Sequence, residues 1–144
     1  MGLDNGFYVR SNRRAITREI LPKGINYPFD HDYEKDMVEV IYHRKDWGWR
    51  NSIMERFNWV DPNYCDNAED VDSNYLIETP EQVLTLIELT ASWLNETRWE
   101  EEGRSIWEYD IAREHLMRDI ITLVLLYGFM QQNPDVFLEF YDSY

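Results

Sequence analysis

The run from Ser105 to about Gln132 constrains the fold more than any other part of the sequence. It begins after Gly103 and is stopped by Asn133-Pro134, because proline neither donates to nor fits within a helix. Its second half, IITLVLLYGFM, is apolar on nearly every side. A helix without a polar face must be surrounded, so the spacing predicts a central, buried helix with the rest of the chain packed about it. The apolar run has eleven residues, well short of the roughly 20 that a membrane-crossing helix needs.

Strand patterns supply the packing partners. MVEVIYHRK (37–45) alternates over two faces, with Val38, Val40, Tyr42 and Arg44 on one and Met37, Glu39, Ile41, His43 and Lys45 on the other. FYVRSN (7–12) alternates after the turn-like DNG, YLIE (75–78) is a short strand pattern, and VFLEFYDSY closes the chain as another. Between 13 and 36, Pro22, Gly24 and Pro28 predict loop. From about Gly48 to Asn58 the apolar spacing turns helical, through Trp49, Ile53, Met54 and Phe57. TPEQ (79–82) opens the next helix: Thr79 and Gln82 have capping-box spacing, and Pro80 stands where a missing N–H costs nothing. That helix is expected to run to about Trp99. The order β, β, α, β, α, α, β predicts an α+β fold, with a small, mostly antiparallel sheet packed against about three helices. At 144 residues, 44% hydrophobic and 15% aromatic, residues 1–144 are expected to form one domain with a true core.

Recognised catalytic and metal patterns are absent from the sequence. It has no P-loop, no GxSxG elbow, no HExxH and no dinucleotide fingerprint. A single cysteine, Cys65, excludes an internal disulfide and suits a reducing compartment. Asp70, Asp72, Asn74 and Glu81 fall at calcium-loop spacing, but Tyr75 stands where the sharp turn needs glycine. Asp30-His31-Asp32 is too local to define a metal site. Glu108, His115 and Asp119 lie on one helical face with nothing predicted opposite them. The sequence therefore predicts no enzyme, cofactor or metal, and it assigns no role to His31, His43 or His115.

Charge is unevenly placed. Residues 1–60 carry ten Lys or Arg against nine Asp or Glu, about +1; residues 61–144 carry four against 19, about −15, with no lysine. Such a segment repels phosphate backbones and anionic membranes and attracts basic protein surfaces. MGLDNGFYVR lacks the plan of a signal peptide, so a cytoplasmic protein is expected. Against this background EVIYHRKDWGWRN (39–51) is an island of cations and rings. A strand-to-helix corner with Arg44, Lys45 and Arg50 nearby has the ingredients of an anion pocket, and Tyr42, Trp47 or Trp49 can offer a flat stacking face.

The opening Met1-Gly2-Leu3-Asp4, the Glu39-Val40-x-Tyr42-x-Arg44-Lys45 strand and the closing Phe140-Tyr141-x-Ser143 strand resemble an uncharacterised family of small bacteriophage and mobile-element proteins. Asn5-Gly6 stands where that family usually has Met-Tyr, and Trp47-Gly48-Trp49 where it has smaller residues. The resemblance implies an accessory protein acting in a host bacterial cytoplasm, during infection or against host defence.

Two functions are then expected from different classes. The first is a non-enzymatic inhibitor whose acids imitate nucleic acid and occupy the basic surface of a host defence or nucleic-acid-handling protein. Its partner-binding residues would be Asp61, Asp66, Glu69, Asp70, Asp72, Glu96, Glu100, Glu101, Glu102 and Glu108. The second is a module that captures a phosphate-bearing, nucleotide-like small molecule through Tyr42, Arg44, Lys45, Trp47, Trp49, Arg50 and Asn51. The larger charge anomaly favours the first, which binds neither nucleic acid nor membrane directly.

Overall fold

The computed structural model describes residues 4–44, 47–59, 75–95 and 106–143, with backbone alone at 47, 95 and 106–112. Along the chain come β1 (Asp4–Ser11), β2 (Val38–Arg44), α1 (Trp47–Arg56), β3 (Tyr75–Ile77), α2 (Pro80–Asn95), α3 (Ile106–Gln132) and β4 (Val136–Ser143). The four strands form one sheet in the order β2-β1-β4-β3, every pair antiparallel. β1 and β4, the outermost elements in sequence, are thus the two inner strands. The α+β class and the element order agree with the sequence pattern.

Local chemistry sets most element ends. Gln82 N–H donates to Thr79 Oγ1 at 3.2 Å, while Gln82 Oε1 accepts from the N–H groups of Thr79 and Glu78 at 3.1 and 2.7 Å. This is the predicted capping box, and it satisfies donors that the first turn of α2 leaves without helical partners. α1 ends in a left-handed residue, Asn58, at φ 56°. Trp59 N–H donates to Met54 C=O and Asn58 N–H to Glu55 C=O, the paired bonds of a Schellman ending with asparagine in the usual glycine position.

Phe7, Val9, Ile41, Leu138 and Phe140 face the helices and meet Trp49, Ile53, Leu86, Leu123, Leu126 and Met130 in the core. A bulge changes the predicted faces of β2. Phe7 pairs with Ile41 but Tyr8 pairs with Glu39, leaving Val40 as an extra residue. The strict alternation expected over 37–45 therefore breaks at Val40. Val38, Ile41 and His43 share the helix side, whereas Glu39, Tyr42 and Arg44 share the other. At Gly6 the strands run too close for any side chain: an added Cβ would lie 2.0 Å from the Ile41 carbonyl oxygen.

The long helix also departs from expectation. α3 packs along α2 and touches β2, and Leu116, Leu123, Leu126 and Met130 are buried. Ile121 and Val124, however, are each 52% exposed, and Met117 47%. A two-layer domain covers only one side of its helices, so α3 is central along one face and bare along the other. Among the described residues, no helix is long and apolar enough to cross a membrane.

The segment between β1 and β2 wraps from one layer to the other. Ile16, Leu21 and Ile25 anchor it in the core, Gly24 passes Leu125 of α3, and Phe29 packs on Tyr42 across the sheet, ring centroids 5.1 Å apart.

Candidate functional site

The strand-to-helix corner divides the predicted island into an inner and an outer part. Arg44 is exposed and faces the side of the sheet away from the helices, as does Tyr42, which donates to Asp4 Oδ1 at 2.7 Å. That hydrogen bond, with burial and the Asp4 charge behind it, raises the Tyr42 phenol above its ordinary value. Trp49 and Arg50 go inward. Trp49 is fully buried, stacked 3.8 Å from the His43 ring with 9° between planes, and set edge-on to Phe7 at 6.0 Å. Arg50 is 4% exposed; its Nε donates to Asp142 Oδ2 at 2.6 Å and its Nη1 to Asn51 Oδ1 at 2.9 Å. Of the described residues predicted to capture a ligand, Trp49 and Arg50 are engaged within the core, while Tyr42 and Arg44 lie on the outer side of the sheet. Lys45 lies outside the described residues, and Trp47 contributes only its backbone to the description.

Around Trp49 the structure assembles a buried polar cluster that sequence reasoning did not anticipate. His43 Nε2 lies 2.5 Å from Asp119 Oδ2, joining β2 to α3. Asn5 pairs in register with His43 on one side and Asp142 on the other. It is fully buried, and neither end of its amide finds a partner among the described residues. A carboxylate that orients an imidazole is half of many acid–base machines, but the indole covers one face of this ring. The cluster's evident role is to join β2 to α3 and α1 to β4. Asp119 had been grouped with Glu108 and His115, yet His115 points outward while Asp119 is buried. In the sequence His43 shares a strand face with Ile41, but Asn5 reads as part of a turn ahead of the first strand, whereas β1 begins at Asp4.

The acids of the predicted partner surface cannot be placed. Asp61, Asp66, Glu69, Asp70, Asp72, Glu96, Glu100, Glu101 and Glu102 lie outside the described residues, and Glu108 is a backbone position of α3. Elsewhere the charge balance is visible. Arg10 pairs with Glu139 at 2.8 Å, Arg14 with Asp135 at 3.0 Å and Arg18 with Asp32 at 3.0 Å. Glu19, Asp30, Glu34, Asp36, Glu55, Glu78, Glu81, Glu88 and Glu114 are all exposed.

A second concavity lies on the outer side of the sheet, over the bulge. Tyr8, Phe29, His31, Tyr33, Met37 and Glu39 line it, with Arg18, Asp32 and Glu34 at its rim. Burial, followed by the charges of Glu39, Glu34 and Glu139, pushes the Tyr8 phenol up. Glu39 accepts a hydrogen bond from the Tyr141 hydroxyl. Burial raises its carboxyl nonetheless, with that bond opposing the shift and Asp4 adding to it. Among the described residues, no three metal-ligating side chains come together, at Asp30-His31-Asp32 or elsewhere.

No family model, curated protein or solved structure matches the chain.

Proposed function

We propose that the chain is a small, non-enzymatic interaction protein that inhibits a host defence or nucleic-acid-handling protein by covering its basic surface with acids. The observation that carries this reading is the charge of about −15 over residues 61–144. Arg10, Arg14, Arg18 and Arg50 are each tied to an acid of the same chain, so the cations of the amino-terminal part are partly spent on holding the fold. Acids remain in excess outside. The resemblance to bacteriophage and mobile-element proteins supplies the setting, a host bacterial cytoplasm. Capture of a phosphate-bearing molecule at the island is less well supported, since Trp49 and Arg50 are interior.

The test combines capture from host lysate with charge reversal and competition. Captured protein is expected to be released steeply as salt rises, because contacts between exposed charges are screened beyond about 8 Å at physiological ionic strength. Double-stranded DNA should displace the chain from that protein, since both occupy one cleft. Reversing Glu100, Glu101 and Glu102 together with Asp61, Asp66, Glu69, Asp70 and Asp72 to Lys should abolish capture. Retention by the reversed variant, or indifference to DNA, would remove the reading.

A further inference from the structure

We infer that the groove over the β2 bulge is a recognition site for one organic cation, the guanidinium or ammonium head of an arginine or lysine side chain displayed by a partner protein. The site does not use the acids beyond residue 60, so it can fail while the proposed inhibition stands, and the reverse.

Three features of the groove select this ligand. Its walls are rings: Phe29 and Tyr33 meet edge-on at 6.2 Å, and His31 packs on Tyr33 at 4.7 Å, with Tyr8 along the sheet side. Ring faces attract cations, Arg and Lys heads above all. Its charge is negative, because Glu34, Glu39 and Asp32 outnumber Arg18. It is also small, with about 260 Å³ of space counted out to the solvent side. A nucleotide carries the wrong charge for the groove.

The same loop already performs this chemistry on its own chain. The Arg18 guanidinium lies over the Tyr27 ring at 4.3 Å. It donates to both carboxylate oxygens of Asp32, at 3.1 and 3.0 Å, and to the Phe29 carbonyl at 2.9 Å. One ring face, one carboxylate and one backbone carbonyl thus hold a guanidinium next to the groove. A few residues further on, the groove is lined by another ring and another carboxylate, Tyr33 and Glu34. Tyr33 is 74% exposed, the most exposed large hydrophobic side chain among the described residues, and Glu34 is exposed too. Burial, followed by the charges of Glu39 and Glu34, pushes the Tyr8 phenol up, and a bound cation relieves that shift.

The site can be read by amide-resolved NMR, titrating the intact chain with N-acetyl-arginine amide and N-acetyl-lysine amide, and with the uncharged N-acetyl-citrulline amide as control. Saturable shifts are expected at Tyr8 and residues 29–39, with a dissociation constant on the order of millimolar for a lone head group, and none with citrulline. Tyr33→Ala and Glu34→Gln should each weaken binding at least about threefold. Both side chains are exposed, so the fold persists, which a far-ultraviolet spectrum verifies. Four results would overturn the inference: no saturation by about 50 mM, equal shifts with citrulline, unchanged affinity in both variants, or tetramethylammonium binding better than either amide.

Discussion

Arg50 and Arg10 each pair with an acid of β4, but in different surroundings. The Arg50 and Asp142 side chains are 5% and 13% exposed, those of Arg10 and Glu139 35% and 26%. Removing one partner of a buried pair strands a charge away from water and typically costs about 3–5 kcal/mol, whereas an exposed pair is worth about 0–1 kcal/mol. Asp142→Ala should therefore lower the urea midpoint far more than Glu139→Ala; equal midpoints would place Arg50 in solvent. The inward position of Arg50 was not legible in the sequence. A cation just inside a helix, beside two tryptophans, has the pattern of a surface residue. Its partner is 92 positions away, and no local periodicity links them. Asn5 is similar: its burial follows from lying between two strands that meet only in the folded sheet.

Among the elements, those governed by neighbours within four residues were legible. The capping box at Thr79 forms as its spacing dictates, and α3 stops where Asn133-Pro134 requires. Faces set by tertiary contacts were less so. The bulge at Val40 arises from pairing with β1 and reassigns Glu39 to the outer side, where the groove is. On α3, composition indicated complete burial while the two-layer packing leaves one side open. Adjacent residues now separate these pictures. Leu123 is fully buried and Val124 half exposed. Leu123→Asp should unfold the domain by burying an unpaired charge, whereas Val124→Asp should change stability by about 0.5 kcal/mol or less. Thermal unfolding followed by circular dichroism distinguishes them, and equal losses would mean that α3 is covered all round.

At the scale of the whole molecule, the phenols store a pH dependence. Tyr8, Tyr27, Tyr42 and Tyr141 all have phenols shifted above the ordinary value of 10.0. Burial leads at Tyr8, Tyr27 and Tyr141, and the bond to Asp4 leads at Tyr42. A group whose folded value is raised contributes stability that is intact below its unfolded value and is lost as pH rises past it, since only the unfolded chain releases the proton. The fold should accordingly weaken above about pH 10. Phenolate absorbance should rise together with loss of structure, and Tyr141→Phe should flatten the decline. Phenolate of Tyr141, read as the difference from Tyr141→Phe, appearing well before unfolding would contradict the burial described.

The sheet order also has a consequence in time. β1 and β4 are paired along their whole lengths, Asp4 opposite Ser143 and Ser11 opposite Val136, and β3 pairs with β4. A ribosome adds about 5–20 residues per second, so β1 leaves it on the order of ten seconds before its inner neighbour has been made. Throughout that interval Phe7 and Val9 lack the strand that later covers them, and β3 lacks its partner in the sheet. Each nascent copy therefore spends those seconds with open strand edges, the condition under which chains pair with one another instead of with themselves. Slower translation of the stretch before Val136 should accordingly lengthen that exposure and lower the soluble yield.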